Sequence, residues 1–213
     1  MSKPTIHGPS YSAYVRMTRL ALEEKGAAYD LVPVDMIGGA HKQPDFLARN
    51  PFGKLPAFSH DGLALYETSA ITRYIDRTLP GPALQPSGAA AMARVDQVMS
   101  IVDSFAYASM IGQLVWQRLI VPMLKGQPDE AIVAAGLPQV RLCLAEFARL
   151  LGDDAWFGGK AISLADLHLA PLLAYVTMTP EGPSLLAAQP VLKGWWGRMS
   201  DRPSMAATQP QFG

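Results

Sequence analysis

The chain has a single cysteine, Cys143, so it cannot staple itself with an internal disulfide and its fold must rest on packing. It has no surplus of either charge. Eighteen lysines and arginines balance eighteen aspartates and glutamates, which leaves no overall field to recruit nucleic acid or an anionic membrane surface. Four scattered histidines without H-E-x-x-H spacing, and no paired cysteines, argue against a built-in zinc site. There is neither a basic-then-apolar leader nor an uninterrupted apolar run of membrane-spanning length. These absences lead to the expectation of a cytoplasmic protein with metal-free chemistry or plain binding.

What is present is enough apolar material, 49% of residues, to bury a real core. The stretch Leu79-Pro80-Gly81-Pro82-Ala83-Leu84-Gln85-Pro86-Ser87-Gly88 is nearly uncharged and rich in helix breakers, which marks a connection between two differently built regions. The expected organisation is a first domain over residues 1–79, a linker over 80–88 and a second domain over 89–213.

Before the linker the pattern alternates. Thr5-Ile6-His7 reads as a strand, Gly8-Pro9-Ser10 as a turn, and the chain to Lys25 as a helix stopped by Gly26. Tyr29 to Val34 reads as a second, parallel strand. Ala57–Ser59 and Leu63–Tyr66 flank the hairpin signal Asp61-Gly62, and a helix from Glu67 to about Thr78 follows. After the linker the signal is helical almost throughout. Val95, Val98, Met99, Val102, Phe105, Ala106 and Ser109 form one stripe of a long helix, and Val133, Leu137, Val140, Leu144, Phe147 and Leu151 form the seam of another. Ser163-Leu164-Ala165-Asp166 has the form of a capping box, stapled by Ile162 and Leu167. The fold class is therefore an α/β first domain followed by an all-α helical bundle.

Four features of the first domain could carry chemistry. Ser12 sits between the first strand and the following helix, where free amides and the positive helix end favour an anion such as a thiolate; a plain helix cap would use the same residue. Pro56 enters a strand after Asn50-Pro51-Phe52-Gly53-Lys54-Leu55, a place where the backbone of Leu55 could pair with an extended peptide. Glu67-Thr68 opens a helix and suits an amino-acid end carrying ammonium and carboxylate, or simply caps it. His41 and Lys42 suit a second carboxylate, or a solvated loop.

With these residues together, the chain resembles the cytosolic glutathione transferases of the serine type, phi-like or bacterial, essentially from end to end. The matching elements are Gly8-Pro9-Ser10-Tyr11-Ser12-Ala13-Tyr14-Val15-Arg16, Leu20 to Gly26, His41-Lys42, the Asn50-to-Pro56 run and Glu67-Thr68-Ser69-Ala70-Ile71. The resemblance implies a thioredoxin-like first domain and a helical second one. It also implies that Ser12 hydrogen-bonds the sulfur of glutathione and that Leu55, ahead of a cis Pro56, pairs with the cysteinyl backbone. Glu67 and Thr68 would hold the γ-glutamyl end, and His41 and Lys42 would approach the glycyl carboxylate. Thr68 stands where a serine is usual, and no cysteine occupies the loop, which argues against the branch that forms mixed disulfides. Cys143, within an apolar helix, is expected to be a packing residue.

The activity implied is conjugation of glutathione, as co-substrate, to a small hydrophobic electrophile, with no tightly bound cofactor and no metal. Ser12 would stabilise the thiolate rather than abstract its proton, a hydroxyl being too weak a base. Ser10 and Tyr14 are the next candidates for the contact to sulfur. Tyr11, Tyr107, Met110 and Trp116 could line the electrophile pocket or fill the interior. A non-catalytic glutathione-binding protein, or glutathione-dependent isomerisation, dehalogenation or peroxide reduction, remain open alternatives. By family analogy the chain forms a two-fold homodimer.

Overall fold

The computed structural model describes residues 2–210. The chain divides into two compact units. One runs up to Leu84 and takes in the chain again from Arg202; the other spans Gln85–Asp201.

In the first unit, β1 (Thr5–His7) leads through a tight loop into α1 (Ala13–Lys25), and β2 (Asp30–Val32) follows. Gly26 ends α1 at φ 67°, its N–H donating to the carbonyls of Leu22 and Glu23, a left-handed stop that needs no Cβ. β1 and β2 pair in parallel with Ile6 opposite Leu31, as a β-α-β crossover requires. A 3-10 turn (Ala40–Lys42) and the one-turn α2 (Pro44–Leu47) precede β3 (Ala57–His60) and β4 (Leu63–Leu65). Their hairpin turns on Asp61 and Gly62, both at positive φ, the conformation that Asp-Gly favours. β3 pairs antiparallel with β1 and β4, so the sheet order is β2-β1-β3-β4. Helix α3 (Thr68–Thr78) packs against α1. Ile6, Val15, Leu22, Phe58, Ile71 and Ile75 make the core.

The second unit is helical. One continuous helix covers Ala89–Met123, built from α4 (Ala89–Ile101), a π-helical stretch (Val102–Ile120) and the short α5 (Val121–Met123). Then come α6 (Glu130–Leu151), α7 (Leu164–Val176), α8 (Gly182–Ala187) and α9 (Pro190–Ser200). The α6 seam is buried at Val133, Val140, Leu144, Phe147 and Leu151. The stripe expected on the long helix needs one correction: Phe105 is 56% exposed while Val102, Ala106 and Met110 are buried. The wider π winding closes i to i+5 bonds and takes more residues per turn than an α-helix. Val102, Ala106, Met110 and Leu114 lie four apart on the buried side, with Ser109 and Val115 beside them, and Phe105 turns out of the stripe.

Two of these helices, Ala89–Met123 and Glu130–Leu151, are long and apolar enough by length and composition to cross a membrane. Neither is an uninterrupted apolar run, since Asp103 and Arg118 interrupt the first and Arg141 and Glu146 the second. In the bundle they pack against each other, and the apolar surface is what a helix core requires. Asp166 anchors the start of α7. Its Oδ2 accepts from the amide and hydroxyl of Ser163, both at 2.7 Å, and its Oδ1 accepts from Phe157 N at 3.0 Å and Trp195 Nε1 at 2.7 Å. Burial pushes its carboxyl up, and these donors pull it back.

The expected second domain, 89–213, also changes at its end. The last described helix, α10 (Pro203–Ala207), belongs to the first unit, because charged groups on α1 bind it: Glu24 pairs with Arg202, and Arg16 and Arg19 donate to its carbonyls. Residues 211–213 of that range lie outside the described residues.

Candidate active site

Ser12 is the N-cap of α1, with extended backbone (φ −69°, ψ 128°) and a side chain that accepts from Val15 N. That bond is long, 3.4 Å. A hydroxyl has two lone pairs and one proton, so capping occupies one lone pair and leaves the O–H free to donate; among the described residues it donates to nothing. The Ser12 carbonyl starts the helix by accepting from Arg16 N at 2.9 Å, and the Ser12 amide donates to Pro9 O. Ser10 and Tyr14, the alternatives, each carry interactions of their own.

Three close approaches within the first unit gather the other candidates. The backbone of Gly8, ahead of Ser12, passes close to Leu55: a Cβ there would lie 3.7 Å from Leu55 Cδ2. Gly53, at φ 57°, presses its turn onto the 3-10 turn, since a Cβ on it would sit 3.1 Å from the His41 carbonyl. Phe52 meets Tyr66 edge-on, with ring centroids 5.8 Å apart, and Tyr66 precedes Glu67. The segments carrying Ser12, His41-Lys42, Leu55-Pro56 and Glu67-Thr68 are thereby stitched together.

The Leu55-Pro56 peptide bond is cis. Leu55 is partly exposed, and among the described residues neither its N–H nor its C=O has a partner. Its presentation depends on Asn50, which is 1% exposed. Asn50 donates from Nδ2 to Lys54 O at 2.8 Å and accepts at Oδ1 from Phe52 N at 3.1 Å. Asn50 stands in the matched run but was given no role in the sequence reading; the Asn-Pro pair, a turn-initiating signal, could have supplied it.

Glu67 adopts φ 69°, ψ 111° without capping α3 through its side chain. A non-glycine residue held there costs on the order of 1–3 kcal/mol, a strain that collects at functional sites. Its carboxylate is exposed and has no partner among the described residues. Thr68 is 6% exposed and opens α3, so its amide and that of Ser69 face the helix end unpaired by the helix. The Lys42 ammonium is exposed. The Nδ1 of His41 is buried and without a partner among the described residues. Tyr11, beside Ser12, is half-buried, and burial together with Asp35 pushes its phenol up; it stays protonated at neutral pH and is a donor, not a base.

Residues 8–77 match the family described as Glutathione S-transferase, N-terminal domain, and residues 107–203 match Glutathione S-transferase, C-terminal domain. The chain is 35% identical to glutathione S-transferase 3 of Zea mays over 208 residues, 98% of this chain and 94% of that one. The chain belongs to the glutathione S-transferase family.

Among solved structures, the transferase is similar to glutathione transferase F7 from Populus trichocarpa, with TM-score 0.87 and 30% identity over 96% of this chain and 97% of that one. It is also similar to glutathione S-transferase I from maize in complex with an atrazine glutathione conjugate, with TM-score 0.85 and 30% identity over 97% and 96% of the two chains. The four-stranded mixed sheet with its helices is the family's thioredoxin-like domain, and the helical unit is its second domain.

The residues expected at the electrophile pocket fall in both units. Tyr11 lies in the first unit, whereas Tyr107, Met110 and Trp116 lie in the helical one. Met110 is fully buried (0% exposed). Trp116 is 38% exposed, and burial pushes the Tyr107 phenol up. Cys143 is buried, accepts from Gln139 Nε2, and has its thiol pushed up by burial, as an inert packing residue should.

Proposed function

We propose that this transferase conjugates glutathione to a small hydrophobic electrophile, with Ser12 donating a hydrogen bond to the glutathione thiolate. The observation that carries the reading is the divided use of the Ser12 hydroxyl. Its acceptor side caps α1 at 3.4 Å, and its proton is left for a ligand at the positive end of that helix. Leu55 pairs through its backbone with the cysteinyl residue. Glu67 takes the γ-glutamyl ammonium, and the Thr68 hydroxyl with the Thr68 and Ser69 amides takes the adjoining carboxylate. Lys42 and His41 receive the glycyl carboxylate; the orphaned Nδ1 of His41 is a polar atom kept buried at a cost to stability.

Moving a thiol from about 8.5 to about 6.5 requires roughly 2.7 kcal/mol. One charge-assisted hydrogen bond, about 1.5–3 kcal/mol, together with a helix end supplies that. Conjugation is favoured over isomerisation, dehalogenation or peroxide reduction because a solved relative holds a product of such a transfer, an atrazine glutathione conjugate. Ser12 and the peptide-holding residues favour an enzyme over a binding protein. The reading includes a cytoplasmic two-fold homodimer, checked by sedimentation, where a concentration-independent monomer would contradict it.

The test is a titration of thiolate absorbance in the glutathione complex. Ser12→Ala is expected to raise the bound thiol's pKa by about one unit or more, lowering turnover about threefold at pH 7 for the first unit and about tenfold per unit well below the bound thiol's pKa, with glutathione affinity nearly unchanged. An unaltered titration removes Ser12 from the mechanism.

A further inference from the structure

We propose that Arg16 is a positioning residue for Ser12, and that the returning segment Arg202–Thr208 is the anchor against which it works. The inference rests on the reading of Ser12 as the partner of the thiolate.

Arg16 lies one helical turn after Ser12 and faces two ways. Its amide donates to the Ser12 carbonyl at 2.9 Å. Its guanidinium, on a residue only 4% exposed, donates from Nε to Thr208 Oγ1 at 3.3 Å and from Nη2 to Met205 O at 3.1 Å. The grip continues along α1. Arg19 donates to Ala207 O at 2.9 Å and Thr208 O at 3.4 Å. Glu24 accepts the fork of Arg202 at 2.7 and 2.5 Å and the Ser204 hydroxyl at 2.5 Å.

The chemistry of the match is specific. The Met205 and Ala207 carbonyls at the end of α10 lie at the negative pole of its dipole, and rigid guanidinium forks satisfy them. The first turn of α1, by contrast, holds the Ser12 side chain only through a long cap of 3.4 Å, beside the backbone bond from Arg16 N. Helix ends fray, and a donor stabilises developing negative charge only when it is fixed beforehand. Arg16 ties that first turn to an anchor distant in sequence, so the aim of the Ser12 hydroxyl depends on it.

The experiment compares Arg16→Met, Ser12→Ala and the double variant by thiolate titration in the glutathione complex, with kcat and KM measured separately. Arg16→Met is expected to raise the bound thiol's pKa by about one unit and lower kcat about threefold at pH 7 and about tenfold well below the bound thiol's pKa, with KM for glutathione within about twofold. In the Ser12→Ala background it should shift the thiol no further, a non-additivity that general destabilisation does not produce. A folded Arg16→Met whose thiol titrates normally while Ser12→Ala shifts it overturns the inference and leaves the Ser12 reading standing. A silent Ser12→Ala sinks both. Should Arg16→Met not fold, Glu24→Gln, two turns further from the site, decides in the same way, and Glu24→Arg combined with Arg202→Glu should restore the titration.

Discussion

A serine hydroxyl has more bonding capacity than a helix cap consumes, and that surplus makes Ser12 legible only in part from sequence. The position of Ser12 between β1 and α1 follows from the turn residues before it and the apolar pattern after it, so both the cap and the anion-facing role could be read. Which role prevails depends on where the proton points, and no spacing rule encodes that. The two roles separate by substitution. Ser12→Asp keeps, or slightly improves, the acceptor that caps α1 but supplies no proton and adds a negative charge beside the sulfur. Its melting temperature should match the wild type's while the bound thiol's pKa rises above that of Ser12→Ala. A thiol pKa below the alanine variant's would show that the helix end, rather than the hydroxyl, carries the stabilisation. Glu67 was found for its charge, yet its left-handed backbone, the clearer mark of function, is invisible without coordinates. Asp166 adds a residue-scale test of structure alone. Asp166→Asn turns one of two doubly accepting oxygens into a donor facing two donors. At about 1–3 kcal/mol for each unmet group, denaturant unfolding should show a loss of about 2–6 kcal/mol.

At the level of elements, the hydrophobic period located nearly everything and the polar residues on those elements explain what it missed. The strands, the Asp-Gly hairpin and the α6 seam stand where alternation and heptad spacing put them. Phe105 does not, because a sequence period of 3.6 carries no notice of π winding. Helix α1 is legible as a helix running to Lys25, but it buries Arg16, Arg19 and Lys25, and buried charge has no periodic signature. Lys25 shows the energetic consequence. Its ammonium, near the end of α1, donates to Asp76 O and Pro82 O at 3.0 Å and meets the Asp76 carboxylate at 3.3 Å. Asp76 in turn accepts from Leu84 N at 2.7 Å, so one buried pair fastens α1, α3 and the chain beyond α3 together. Lys25→Met leaves that carboxylate buried without its cation, which costs about 3–5 kcal/mol. Chemical denaturation should show that loss, with partial recovery when Asp76→Asn is added; a variant as stable as the wild type would mean that water reaches the pair.

On the scale of the molecule, the breaker-rich stretch after residue 79 announced two units correctly, but linear reading assigned the end of the chain to the wrong one. A boundary drawn along a sequence cannot show a segment returning across more than a hundred residues, and what brings Arg202–Thr208 back is a set of charged contacts, not a hydrophobic pattern. Those contacts set its energetic weight. A chain ended after Asp201 would remove the carbonyls to which Arg16 and Arg19 donate and the arginine that Glu24 pairs with, at about 1.5–3 kcal/mol for each charge-assisted bond lost. The loss falls on the unit that holds them. Hydrogen exchange of the truncated protein should therefore quicken in α1 and the strands it covers, while α6 and α7, whose packing lies within the other unit, keep their protection. Uniform loss of protection in both units would mean that they unfold as one cooperative body, and the segment would then stabilise the molecule as a whole rather than the sheet domain to which it returns.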